Sequence, residues 1–86
     1  MTTWRIEIQE AMERSGESWA DVVSSTLTDE QLDVSFDGGY GSVEGIPFTV
    51  WTKNRVYFPD CYDGSESAVS VARNPDGKPT PHVGGG

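Results

Sequence analysis

A chain of 86 residues with 35% aliphatic and aromatic residues, ten glycines and five prolines has room for one domain with a thin core, since a chain this short hides only about 60–65% of its unfolded surface. The formal net charge of −8 disfavours nucleic acid and anionic membrane as direct ligands, and a single cysteine, Cys61, excludes an intrachain disulfide. No run approaches the ~18 apolar residues of a membrane span, and the opening MTTWRIEIQE lacks the basic start and apolar stretch of a secretion signal, so the expected location is the cytoplasm.

From Thr2 to Arg14, Trp4, Ile8, Ala11 and Met12 fall at i, i+4, i+7 and i+8, which predicts an amphipathic helix capped by Thr2 or Thr3, with Ile6 off the stripe. Gly16 breaks the pattern. Ser18 followed by Asp21 resembles a capping box for a second short helix through Trp19, Val22 and Val23. Thr28 with Gln31 marks a third start, one or two turns around Leu27 and Leu32.

DGGYGSVEG (37–45) raises the question of a phosphate cradle. Such a loop needs a preceding strand, a following helix N-terminus and commonly a Lys. Here helices precede, a proline-led strand follows, and the ionic groups are Asp37 and Glu44, which repel phosphate. The reading that remains is a linker whose glycines take left-handed conformations while Tyr40 pins it to the core.

FTVWT (48–52) and RVYFP (55–59) are rich in β-branched and aromatic residues, and Lys53-Asn54 between them suits a tight hairpin. A two-residue turn sets Trp51 opposite Val56 on one side and groups Phe48, Val50 and Tyr57 on the other. YDGS (62–65) is a second turn signal, and SAVSVAR (67–73) alternates as a third strand. Residues 74–86, NPDGKPTPHVGGG, read as a mobile or extended tail. The expected architecture is α+β: one domain over 1–73, with N-terminal short helices packed on a three-stranded antiparallel sheet.

Chemical signatures are sparse. Cys61 lacks a positioned base, the sole imidazole, His82, lies in the tail, and Cys61 reads as a half-buried small hydrophobe. One Cys and one His make no zinc site. Asp60, Asp63 and Glu66 cluster around Gly64, but their spacing does not match a calcium loop. No cofactor is expected, and enzymatic activity is not, a small metal-dependent enzyme around Asp60 to Glu66 being the third reading after an inhibitor and an adaptor.

The charge is uneven. Residues 1–45 hold ten carboxylates against Arg5 and Arg14, whereas in residues 46–86 four acids balance Lys53, Arg55, Arg73 and Lys78. Glu10, Glu13 and Glu17 fall at i, i+3 and i+7, and Asp29 and Asp33 at i and i+4 beside Glu30. Carboxylates one helical turn apart, about 5.4 Å, lie at a spacing comparable to successive phosphates on a nucleic-acid strand. These six acids are therefore the candidate partner-binding residues, suited to a channel lined with Lys and Arg. Trp51 and Tyr57, with Tyr40, are candidate ring anchors for an adaptor that binds through its sheet.

GESW (16–19), EGIPFTVWT (44–52), RVYFP (55–59), YDG (62–64), RNP (73–75) and HVGG (82–85) resemble, over about three quarters of the chain, a family of very short proteins of tailed bacteriophages and prophages. Members carry Trp after YDG-Ser-Glu; here Ser67 stands in that place. The resemblance implies a phage origin, an infected bacterial host, and kinship in kind with small acidic counter-defence proteins, the anti-CRISPR and anti-restriction inhibitors that mimic DNA. It brings no catalytic residue. The partner it implies is a host protein or nucleoprotein complex with a basic surface, met by a monomer or small homo-oligomer.

Overall fold

A computed structural model describes residues 1–37, 44–62 and 64–83. In chain order the elements are α1 (Trp4–Ser15), a 3₁₀ turn (Trp19–Asp21), β1 (Val22–Ser25), α2 (Asp29–Leu32), β2 (Val50–Thr52), β3 (Arg55–Tyr62) and β4 (Ser65–Ala72). The α+β class is as expected, but the sheet has four strands, all antiparallel, in the order β1-β2-β3-β4.

Each helix boundary has a local cause. Thr3 accepts from the Ile6 N–H at the start of α1, and Gly16 ends it at φ 79°, a left-handed conformation that costs a residue without Cβ little. Gly16 N–H bonds Glu13 and Glu17 N–H bonds Met12, which closes the last turn. Trp4, Ile8, Ala11 and Met12 are the buried residues of α1, as the periodicity predicts, while Ile6 is exposed. Thr28 and Gln31 form a reciprocal capping box on α2.

The Ser18/Asp21 box also forms, yet it opens one 3₁₀ turn rather than a helix, and Val22 continues into β1. The expected helix through Val22 and Val23 is thus corrected to an edge strand. Its residues VVSS are mostly exposed and it is held by its ladder to β2, with an irregularity between Val22 and Ser24. Beyond the ladder, Thr26 N–H bonds the Thr49 carbonyl and Thr49 N–H bonds Thr26 Oγ1, each at 3.0 Å.

The β2–β3 hairpin has the predicted register, Val50 opposite Tyr57 and Trp51 opposite Val56. On the helix side Phe48, Val50, Tyr57 and Ala68 meet Trp4, Ile8, Ala11, Met12, Leu27, Leu32 and Phe36 in a single core. Trp4 is its hub. Its ring lies 4.8 Å from Phe36 and 4.7 Å from Phe48, and Nε1 donates to the Ile46 carbonyl at 2.9 Å, so the one polar atom of this buried ring is satisfied. Thr2 and Phe36 exchange backbone hydrogen bonds at 2.9 Å, tying the N-terminus down.

Residues 74–83 form no helix or strand, but they double back: Pro81 and Val83 line a cleft with Ala11 and Arg14 of α1. Tyr40 and most of the glycine-rich loop lie outside the described residues, as does Asp63.

Candidate functional site

On α1 the buried stripe sets the opposite ridge, where Ile6, Gln9, Glu10 and Glu13 are all exposed. Glu10 and Glu13 therefore point away from the sheet. Glu30 on α2 is exposed too, and none of these three side chains has a hydrogen-bond or ion-pair partner among the described residues.

The rest of the predicted acidic row is dispersed. Arg5 Nε donates to Asp33 Oδ1 at 2.6 Å and its guanidinium lies 3.8 Å from Asp29, so these two carboxylates share one cation. That hydrogen bond, with the charge behind it, holds the Asp33 carboxyl below its usual range and the guanidinium above its own. The same guanidinium sits 5.7 Å from the Trp19 ring centroid. Asp21 caps its own turn by accepting from Ser18 N–H, and Glu7 accepts from Thr2 Oγ1.

Glu17 corrects the expectation most. Gly16 turns the chain so that Glu17 leaves the α1 ridge and faces the sheet, where it accepts from Thr52 Oγ1 at 3.0 Å and from the Tyr57 hydroxyl at 2.6 Å. Ser15 Oγ lies 2.5 Å from the same hydroxyl. Tyr57 is fully buried and belongs to the core, so it is no exposed anchor either. Burial, then the Glu17 hydrogen bond, pushes its phenol up to about 12. Glu17 and Ser15 open onto a cleft of about 420 Å³ with Asn54, Arg55, Asn74 and Asp76. Every donor of the Glu17 network is already used, so the cleft floor is suited to holding strand to helix rather than to moving protons.

Of the acids around Gly64, whose spacing does not match a calcium loop, Asp60 and Glu66 lie on opposite faces of the sheet. Glu66 pairs with Cys61 and points to the helix side, whereas Asp60, one residue earlier, points to the other face. Glu66 is buried and receives two backbone bonds, from Glu44 N–H and Gly45 N–H, both at 2.9 Å. Among the described residues no group of three metal-binding side chains forms. Cys61 is exposed, not half-buried, and His82 is exposed in the tail.

This Glu66 bracket and the Glu17 network were not foreseen. One signal was present: positions 66, 68, 70 and 72 share a strand parity with the core residue Ala68, which places Glu66 indoors.

Most of the arginines are engaged away from the carboxylates. Arg14 donates to the Ala68 carbonyl, Arg55 to Ser70 and Arg73 to the Thr52 carbonyl, so among the described residues Arg5 alone forms ion pairs with carboxylates. Trp51, by contrast, lies on the sheet face away from the helices and takes no part in the core. Comparison with protein-family models, curated proteins and solved structures returned no match. No helix among the described residues is long and apolar enough to cross a membrane.

Proposed function

We propose that this chain is a small acidic, non-enzymatic inhibitor of phage type. It binds a basic nucleic-acid-handling surface of a host defence complex, in the manner of a nucleic-acid mimic. The observation that supports this reading is the use of the arginines: Arg14, Arg55 and Arg73 are bonded to strand groups and form no ion pair, so apart from Asp29 and Asp33 the carboxylates of the helical half have no arginine beside them among the described residues. The patch is narrower than the sequence suggests. Glu10, Glu13 and Glu30 form its free part, and Asp29 and Asp33 contribute through their residual charge around Arg5.

Glu17 belongs to the fold, so the discriminating variant reverses Glu10, Glu13 and Glu30 to Lys and leaves Glu17 intact. A tagged chain incubated with bacterial lysate is expected to retain a nucleic-acid-binding protein at low salt and to release it at high salt. The captured protein should lose nucleic-acid binding as the chain is added, and the triple variant should capture little. A partner that survives high salt and binds the triple variant equally well would refute the acidic surface. The adaptor reading keeps Trp51 but loses Tyr57, which the core occupies.

A further inference from the structure

The sheet has a second face. Strand alternation places Trp51, Val56 and Val71 side by side in one row, with Ser24 at its β1 end, and Phe58 beside Val69 in the next. All five apolar residues are half-buried, and none belongs to the core or to the residues packed against it. Asp60 with Ser67 follows in the third row. Two aromatic rings and three valines inside a border of Ser24, Ser67 and Asp60 have the composition of an interface centre and its rim.

Charge selects the occupant. A basic partner is drawn to the helical side, where the carboxylates are, whereas residues 46–86 carry equal numbers of acids and bases. This face itself is graded along the strands. Lys53 in the β2–β3 turn and Arg73 after β4 lie at one end, and Asp60 sits five residues along β3 from Arg55, about 17 Å away. A two-fold axis lying across the strands sets Asp60 of each copy over the Lys53 and Arg73 end of the other, the self-complementarity that an isologous contact requires. The acidic helical layers then face outward on opposite sides, so at about 0.15 M salt, where the Debye length is about 8 Å, most of the repulsion between the two net charges is screened.

The area suits a weak contact. β3 and β4 hold eight residues each, about 26 Å, whereas β1 holds four and β2 three; at about 4.8 Å between strands they present roughly 360 Å² per copy, hence about 700 Å² for the pair, short of the roughly 1,000–1,200 Å² of a stable interface and in the range of a transient one. We propose that this face binds a second copy of the chain, sheet on sheet, in a weak dimer that forms with rising concentration. The inference does not depend on the inhibitor reading.

Sedimentation equilibrium of the full chain from micromolar to millimolar concentration tests it. The mass should climb from 9.4 kDa towards twice that value. Trp51→Glu and, independently, Val71→Glu should each weaken association at least tenfold with circular dichroism unchanged. Glu10→Lys with Glu13→Lys should leave association intact. A wild type that stays monomeric to millimolar concentration would overturn the proposal. So would a dimer that the folded Trp51→Glu or Val71→Glu variant preserves.

Discussion

Replacing Tyr57 by Phe removes one oxygen from the centre of the molecule while keeping its buried ring. The lost hydroxyl donates to the Glu17 carboxylate at 2.6 Å and lies 2.5 Å from Ser15 Oγ. A hydrogen bond to a charged group contributes about 1.5–3 kcal/mol. Glu17 keeps Thr52 Oγ1, and the cleft beside it admits water, so the expected loss lies lower, at about 1–2 kcal/mol. For a domain of this size that is roughly 5–15 °C in melting midpoint. The pH dependence gives a second, sharper reading. Because the folded phenol titrates at about 12 rather than its ordinary 10, its contribution is fully present below pH 10 and disappears as pH rises through the folded value. The rise from 10 to about 12 sets an upper limit of about 2.7 kcal/mol, reduced by the screening of the cleft. Urea denaturation of both proteins at a series of pH values measures the difference, in which lysines and the other tyrosines cancel. A gap below about 0.3 kcal/mol near neutrality, or one that stays constant from pH 8 to 12, would refute the network as a stabilising unit.

Gly45→Ala should destabilise by about 1–3 kcal/mol in a thermal melt, because a Cβ there would stand 2.6 Å from Trp4 Cζ2 and 2.8 Å from Glu66 Oε1. Glu66→Ala strands the Glu44 and Gly45 amides and should cost about 2–4 kcal/mol; Glu66→Gln, which keeps one acceptor oxygen, should cost visibly less by the same melt. Arg5→Ala should return the Asp33 carboxyl upward to its ordinary range in an NMR titration and lengthen retention on an anion exchanger, with little change in melting midpoint because both its carboxylate partners are exposed. The Arg5–Asp33 contribution is present above the ordinary carboxylate range and is lost as pH falls.

Periodicity was enough to find α1, because four large or small apolar residues recur on one stripe and the caps Thr3 and Gly16 bracket them. The β2–β3 register was equally legible, since a two-residue turn leaves one pairing. β1 was not: Val-Val-Ser-Ser carries no alternation, and its strand character comes from the partner it pairs with. The acidic row was overread for a related reason. Helical spacing identifies residues that share a face only while the helix lasts, and α1 ends at Ser15, two residues before Glu17. Asp33 lies just past α2, where an arginine 28 positions earlier in the chain reaches it. Sequence spacing carries no information about such a distant partner.

The order of strands in the sheet repeats their order in the chain, which has a kinetic meaning. The β2–β3 and β3–β4 hairpins close over two-residue connections, so that half of the sheet zips up locally, whereas β1 reaches β2 only across residues 26–49. The N-terminal helix has no such local mate. Its indole ring waits for Phe36, Ile46 and Phe48, and Arg14 waits for the carbonyl of residue 68. On a ribosome, which releases the N-terminus first, this amphipathic segment emerges with its apolar stripe unshielded and docks only after most of the polypeptide has followed it. Completion of the core is therefore a late, all-at-once event of synthesis.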